Sequence, residues 1–498
     1  MAPARHPGAE AAGAGFKSPS GTLLPPMDSS MATAEVVAEL EHAPLLASLL
    51  DQPAVVGLDR IRTWRQVHQA SIELAARLRH ASAVCNLCNS RTNFLVTWLA
   101  ALRCRAPMVL PPSGGHADLA GVLASTPRPV IVVDREEAIQ PAWRGSADCL
   151  VASSTWSPAK AGATDPTWLP DWHGTASVLY TSGSTGAPEP HPKSLLQLVS
   201  GALALGDRLA QDLAGGLSAI RRLVCSVPPQ HMFGFEASVM LPLVHGIPVN
   251  EGRPLLPADV RQAFTASPAS AWITTPLHMR GLVRSSEALP NCKLVLASTM
   301  PLTQQLARQT EGLVGAPVLE IYGSTETGVL AMRCPAHDTS WRPVRGVRLA
   351  AAHDATLSWG AHFASPVRLP DQTEIDATGC FVLLGRSTDM IKIGGRRASL
   401  AGLNLLLEGL PGLEDGVLYW PNSTKPSERL CLIYSGPALD RPTVEEWLRA
   451  RLDPAFMPRT LIHVDSLPRS EGGKLPRQAL DALYAAWQHR TGRSSASA

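Results

Sequence analysis

The sequence has almost no net charge, no long apolar run and no ordered cysteine pattern, and each lack excludes a class of protein. Lys and Arg number 44 against 42 Asp and Glu, a balance of +2. A chain so nearly neutral sets up no basic field to attract nucleic acid, and no nucleic-acid partner is expected. No segment reaches the roughly 18 apolar residues of a membrane-spanning helix. Phe94 to Leu102 comes nearest and stops at Arg103, so stable membrane insertion is not expected. Nine cysteines at irregular spacing do not read as a disulfide framework. Cys85 and Cys88 form a lone CxxC with no second pair at zinc-finger distance, and two half-buried thiols are expected there. Such cysteine usage fits a reducing, cytoplasmic compartment. Residues 1–34 are rich in Ala, Gly, Ser and Pro, lack the apolar stretch of a signal peptide, and are expected to be disordered.

What is present is a chain of 498 residues, 45% hydrophobic and 17% charged, long enough for two or three domains. Helical patterns (Trp64 to Leu78, Phe94 to Leu102) alternate with short apolar strands such as Pro129 to Val133. The rhythm continues through Arg222 to Val227, Ala271 to Thr274 and Lys293 to Ala297. Alternation of this kind predicts an α/β fold with parallel strands. Asp371 to Leu384 reads as a hairpin turning at Thr378-Gly379, and the pattern then changes to short strands (Gly416 to Trp420, Leu430 to Tyr434) and helices (Val444 to Leu452, Gln478 to Trp487). The expected division is a large, multi-subdomain α/β domain over 35–386 and a small α+β domain over 387–489, with 490–498 as a disordered tail.

Four segments carry chemistry. Thr181-Ser182-Gly183-Ser184-Thr185-Gly186 packs four hydroxyls between and around glycines after an apolar run. Such a loop offers hydroxyl donors and approachable backbone N–H groups, which suit a polyphosphate. Tyr322-Gly323-Ser324-Thr325-Glu326-Thr327-Gly328 is a second such loop, with a carboxylate in it. Gly385-Arg386-Ser387-Thr388-Asp389 and Pro468-Arg469-Ser470-Glu471-Gly472-Gly473-Lys474 complete the set, the four lying about 140, 60 and 90 residues apart. None is a Walker A loop, since Leu475 follows Gly473-Lys474.

In order and spacing these segments resemble the adenylate-forming superfamily of acyl-CoA synthetases, aryl-acid ligases and nonribosomal adenylation domains, over roughly residues 45 to 485. The resemblance implies ATP and Mg²⁺ as cofactors and a small C-terminal domain that swings between two half-reactions about Asp389. It implies that Thr181 to Gly186 cradles the β- and γ-phosphates, that Thr325 contacts the α-phosphate, and that Tyr322, beside Gly323, stacks on adenine. Glu326, the carboxylate of the two loops, is the expected Mg²⁺ ligand, a hard oxygen donor for a hard cation. Asp371 stands where the family holds both ribose hydroxyls, with Arg386 supporting the same ribose. Lys474 would bridge the substrate carboxylate and the α-phosphate during adenylation only.

Three departures qualify that pattern. The family's loop lysine is Glu189 here, so either Lys193 reaches back to the phosphates or the site manages with one cation fewer. Leu369-Pro370 replaces the Thr-Gly that precedes the ribose aspartate. Ser298 and Thr299 replace two glycines beside the adenine and acyl sites, which narrows that space. The acid pocket is expected between Gln230-His231-Met232-Phe233-Gly234-Phe235-Glu236 and Ala297 to Leu302. There His231 is either a gate facing the carboxylate or a satisfied core histidine. A narrowed pocket with no aspartate for an α-ammonium suits a compact, uncharged aryl acid.

In detail, Pro188 to Lys193, Gln230 to Gly234 and Lys392-Ile393-Gly394-Gly395-Arg396-Arg397 are similar to the adenylating ligases of bacterial aryl-polyene, xanthomonadin-type pigment pathways. That resemblance implies 4-hydroxybenzoate or a related acid as substrate and an acyl carrier protein as thiol acceptor. A medium-chain or aryl acyl-CoA synthetase using free CoA, a luciferase-like or purely acyl-AMP-forming enzyme, and a non-catalytic nucleotide-binding member are the alternatives.

Overall fold

The computed structural model describes residues 49–490 except 58, 112–115, 125, 127, 153–167, 169, 183–187, 266–268, 353–354, 364, 387–389, 394–395, 408–409, 422–428 and 470–474. The N-terminal extension, the proposed domain junction at 387–389 and Lys474 therefore lie outside the described residues.

Two large sheets organise the described residues between 53 and 343. One has six strands in the order Asp148–Val151, Pro129–Val133, Ala83–Asn86, Met108–Leu110, Thr175–Ser182, Pro188–Ser194. Its first five strands run parallel, and the last pairs antiparallel. The other has nine strands, with Val318–Ser324, Cys292–Ala297, Ser270–Thr274, Arg222–Cys225, Val249–Asn250 and Pro53–Val56 as a parallel run. Gly328–Arg333 and Arg342–Pro343 extend it antiparallel at one end and Ile61–Thr63 at the other. Parallel strands need helices on both faces, which explains why Pro129–Val133 and Ser270–Thr274 are buried at every residue.

The helices start where the sequence supplies caps. Thr63 and Gln66 form a capping box at Trp64–Leu78, and Ser194 and Gln197 form another at Leu195–Asp212. Each pair satisfies two backbone donors that a helix start otherwise leaves unpaired. Arg91–Arg103, the run nearest to a membrane segment, is instead buried along nearly its whole length inside the main core. Among the described residues no helix is long and apolar enough to cross a membrane.

Each sheet thus carries an antiparallel hairpin, and these hairpins carry the two hydroxyl-rich loops. The strand Pro188–Ser194 tolerates Pro190 and Pro192 because it is an edge strand and proline, with no N–H, cannot donate to a ladder on both sides. Asp371–Ile375 and Phe381–Arg386 form the expected hairpin, with Gly379 at φ 84° in its turn.

From residue 390 onward the chain builds separate cores. Ile391, Leu418, Leu432 and Leu448 belong to one cluster and Tyr419, Ile433, Ile462 and Leu480 to another, over the sheet Asp415–Tyr419, Cys431–Ser435, Thr460–His463. The fold is therefore α/β, with a large N-terminal domain and a smaller C-terminal one. Cys85 and Cys88 differ from expectation: both are fully buried, Cys85 within a central strand, and all nine cysteines are free thiols.

Candidate functional site

The second loop is a tight turn fixed by its own hydroxyls. Ser324 N–H donates to Thr327 Oγ1 at 3.2 Å, Thr327 N–H donates to Ser324 Oγ at 3.3 Å, and the two hydroxyls lie 3.1 Å apart. A Cβ on Gly323 would stand 2.2 Å from the Gly328 carbonyl oxygen, so the two strands approach here only because Gly323 has no side chain. The turn lifts Glu326 out, its side chain 43% exposed, with half-buried Thr325 beside it. Burial works against the ionised form of Glu326, but the Ser324 hydroxyl, its own N–H, His191 and Lys193 outweigh it and hold the carboxyl below its usual range. An ionised, accessible carboxylate on a rigid turn fits a hard divalent cation.

The first hairpin meets this turn. Thr181 Oγ1 lies 3.1 Å from His191 Nε2, and the same nitrogen lies 3.9 Å from Glu326 Oε1. Along the strand, Glu189, His191 and Lys193 share one face by the two-residue period of a strand, and they pass from exposed through half-buried to buried. Glu189, at the family's lysine position, points to solvent. Lys193 pairs with Ser177 at the far end of the hairpin, and its ammonium donates to the Glu326 main-chain carbonyl. Ser182 is described in backbone only, and Gly183, Ser184, Thr185 and Gly186 lie outside the described residues.

Beneath the second loop sits a buried charged cluster. Lys193 and Glu236 are each 4% exposed. Burial pushes the Lys193 ammonium down to about 8, with Glu236 and Glu326 opposing the shift. Burial pushes the Glu236 carboxyl up to about 7, against the Val329 N–H and Lys193. That N–H donates to Glu236 Oε1 at 3.1 Å, and His362 Nε2 sits 2.7 Å from the Val329 carbonyl. Burial drives His362 down to about 4, so its ring is a neutral donor.

The surroundings of Tyr322 are assembled from two sheets. The Tyr322 hydroxyl donates to Asp371 Oδ2 at 2.9 Å, and the ring packs against Trp341 and Phe381 at 5.5 and 5.8 Å. Asp371 is 8% exposed and registers with Arg386 across its hairpin, where Arg386 is described in backbone only. Ser298 Oγ donates to the Ile321 carbonyl at 3.0 Å, tying the 298–299 segment to the strand that carries Tyr322. Thr299 keeps φ at 80°, a glycine-like conformation that a β-branched residue rarely adopts. It therefore adds a side chain without abandoning the backbone path.

His231 is half-buried and precedes the helix Met232–Phe235, which runs into a π-helical turn at Glu236–Met240. Such turns recur at functional sites. Gln230 donates through its amide to the Cys88 carbonyl at 2.9 Å, so that group is already engaged. Phe235 packs edge-on against Trp98 and Phe94 at 5.7 and 6.2 Å, and a Cβ on Gly234 would lie 1.8 Å from the Pro228 carbonyl.

Residues 46–355, more than half of the chain, match the AMP-binding enzyme family. The chain belongs to that family. The AMP-binding enzyme is 27% identical over 300 residues to the 4-coumarate–CoA ligase of Cereibacter sphaeroides, covering 59% of this chain and 69% of that one. It is 24% identical to enterobactin synthase component F of Escherichia coli over 86% of its own length, but only 38% of the larger protein. Among solved structures it superposes on an anthranilate CoA ligase in complex with anthranoyl-AMP, with TM-score 0.73 at 17% identity over 92% of this chain and all of the other. It superposes equally on the o-succinylbenzoate coenzyme A synthetase of Bacillus subtilis in complex with ATP and magnesium ion, at 16% identity over 88% and 98% of the two chains. Those likenesses establish the adenylate-forming fold.

The sequence pointed to Tyr322, Asp371, Thr181 and Glu326, and the fold joins Thr181 to Glu326 through His191 and Tyr322 to Asp371. His191 and His362 were given no role from the sequence, and Glu236 was named only as the end of the acid-pocket segment. The strand periodicity of Glu189, His191 and Lys193 was the available signal for His191.

Proposed function

We propose that this enzyme uses ATP to activate an aryl carboxylic acid and passes the acyl group to a phosphopantetheine thiol. In the first step an oxygen of the acid attacks the α-phosphorus, the bond from that phosphorus to the bridging oxygen breaks, and pyrophosphate leaves with acyl-AMP formed. In the second, the thiol sulfur attacks the acyl carbon, the bond to AMP breaks, AMP leaves and the thiol proton passes to solvent. The observation that carries this reading is that Thr181, His191 and Glu326 lie together, on a turn that directly follows Tyr322 and its hydrogen bond to Asp371. Asp371 would accept from ribose hydroxyls and the Tyr322 ring would stack on a base. Thr181 and Thr325 offer hydroxyls to phosphate oxygens. Glu326 would hold Mg²⁺, which when bound offsets triphosphate charge. Lys474 would supply the cation at the reacting carboxylate and α-phosphate.

The relatives named for 4-coumarate and anthranilate support an aryl acid, and 4-hydroxybenzoate delivered to an acyl carrier protein in pigment biosynthesis is the specific form we favour. Free CoA is the second acceptor reading, favoured by the same CoA-ligase names. A division of labour between residues 35–386 and 387–489 belongs to this proposal. ATP–pyrophosphate exchange across aryl and aliphatic acids, followed by CoA or holo carrier protein, tests it. Lys474→Ala should lower exchange by about 10²–10³ while sparing thioester formation from supplied acyl-AMP. Fastest exchange with a medium-chain fatty acid would overturn the aryl reading.

A further inference from the structure

The far end of the second hairpin gathers three metal-ligating side chains that the adenylation chemistry above does not use. The strand Gly328–Arg333 leads away from the second loop, and Cys334 follows it directly. At about 3.3 Å per strand residue, Cys334 stands about 20 Å from Gly328. The chain turns there, with the His337 and Asp338 N–H groups donating to the Cys334 carbonyl at 3.0 and 2.9 Å. This Cys-x-x-His turn faces Glu311 on the helix Gln304–Val314: His337 Nε2 lies 3.1 Å from Glu311 Oε2, and Cys334 Sγ lies 3.8 Å from Glu311 Oε1. The ligating atoms of all three residues lie within 4.8 Å of one another. A zinc ion with bonds of about 2.0–2.3 Å holds tetrahedral ligand atoms about 3.3–3.7 Å apart, and the two separations to Glu311 bracket that range.

Packing holds the three groups in position. Glu311 Oε1 accepts from the Val318 N–H at 2.9 Å, the kind of outer hydrogen bond that orients a metal-binding carboxylate. Gln304 and Arg308, on the same helix, donate to the Ala336 carbonyl at 3.3 and 2.9 Å and pin the turn between the cysteine and the histidine. Glu311 is 17% exposed and His337 71%, so a cation can enter from the histidine side and water can complete its coordination.

We propose that Glu311, Cys334 and His337 form a binding site for a borderline-soft divalent cation, zinc, separate from the Mg²⁺ role of Glu326. The donor set carries the choice of metal. Thiolate and imidazole are zinc ligands, whereas Mg²⁺ takes oxygen donors. On binding, the Cys334 S–H bond breaks, its electron pair bonds to zinc and the proton passes to solvent. The Glu311 carboxylate and the neutral His337 ring donate lone pairs without further change. Bound zinc ties the helix Gln304–Val314 to the strand that leaves the second loop, and it stabilises the folded chain by mass action.

The test uses the full-length protein, reduced and stripped of metal with a chelator, and offers it Zn²⁺, with Co²⁺ as a spectroscopic substitute. Zinc should be retained through dialysis at one ion per chain and should raise the thermal midpoint. Cobalt should show thiolate-to-metal charge-transfer absorption. Cys334→Ser should abolish that absorption. Loss of an outer partner of a metal ligand costs about 10–100-fold in affinity, so losing a ligand itself, in His337→Ala or Cys334→Ser, should cost at least as much. Excess Mg²⁺ should not displace the zinc. If Cys334→Ser does not fold, His337→Ala, a change at an exposed side chain, decides the matter. No retained zinc, equal zinc affinity in wild type and His337→Ala, or displacement by Mg²⁺ would each overturn the inference and leave His337 and Glu311 as an ordinary surface ion pair.

Discussion

The hairpin Thr175–Ser182 with Pro188–Ser194 and the hairpin Val318–Ser324 with Gly328–Arg333 are the same device used twice. Each adds antiparallel pairing to the end of a parallel run, and each turn carries hydroxyl residues and glycine. They differ in charge and in what holds them. The second turn is closed by Ser324 and Thr327 and raises one accessible carboxylate, Glu326. The first hairpin carries its charged residues along the strand, exposing Glu189 and burying Lys193 under the other turn. Among the described residues Lys193 braces the second turn, through the Glu326 carbonyl. A loop's charge is therefore not read from the loop alone; it depends on which sheet edge the next strand faces.

Four measurements sharpen or break this contrast. The largest effect is expected from Lys193→Met, which removes the ammonium's bond to the Glu326 carbonyl and a neighbouring charge from buried Glu236, and should cost about 1.5–3 kcal/mol in denaturant unfolding. Adding Glu236→Leu should return part of that loss, because no carboxylate then stays buried without the nearby charge. A single variant of unchanged stability would mean that Lys193 is not a brace.

Acid titration of stability comes next. His362 is held neutral, its pKa falling from 6.5 to about 4 on folding, so its contribution is complete above 6.5 and is lost as pH falls toward 4. At about 1.4 kcal/mol per unit, the ceiling is about 3 kcal/mol. Glu236 runs the other way: its pKa rises from 4.5 to about 7, so its contribution is complete below 4.5 and is lost as pH rises through 7. The two oppose each other between these limits, and wild type alone will show a shallow slope. His362→Gln removes one side, so the wild-type advantage over it should shrink steadily from pH 6.5 to 4. A constant difference would place the proton elsewhere.

A smaller, kinetic effect is expected at the second turn. Glu326→Gln should raise the Mg²⁺ concentration for half-maximal exchange, by about tenfold, since a neutral amide oxygen is the weaker ligand for a hard cation. An unchanged titration would remove Glu326 from the metal shell. The smallest effect belongs to Glu189→Lys. This exposed change should leave stability within about 0.5 kcal/mol and lower the KM for ATP modestly by restoring a cation beside the first loop. No change in KM would mean that the loop has no use for one.

Much of the fold was legible beforehand. Trp64–Leu78 and Pro129–Val133 form over the residues that the pattern implied, because periodicity and caps are local. The site was legible only as separate motifs. Tyr322 and Asp371 were each assigned to the nucleoside, yet their hydrogen bond joins residues 49 apart. Thr299 looked like a filled glycine position, but its positive φ, which preserves the glycine path, is a backbone property that composition does not carry.

By itself the sequence determined the alternation that makes parallel sheets, the hydroxyl-rich turns, and the carboxylates and lysines available to them. Those properties follow from residue type at short range. Tertiary structure decided which of these groups are partners. Lys193 and Glu326 are 133 residues apart, and Glu236 and Val329 are 93 apart. Strand order in two sheets sets those contacts, and burial then sets the charges, lowering Lys193, raising Glu236 and neutralising His362. Desolvation acts only once the surrounding core has closed, and so no local pattern in the chain encodes it.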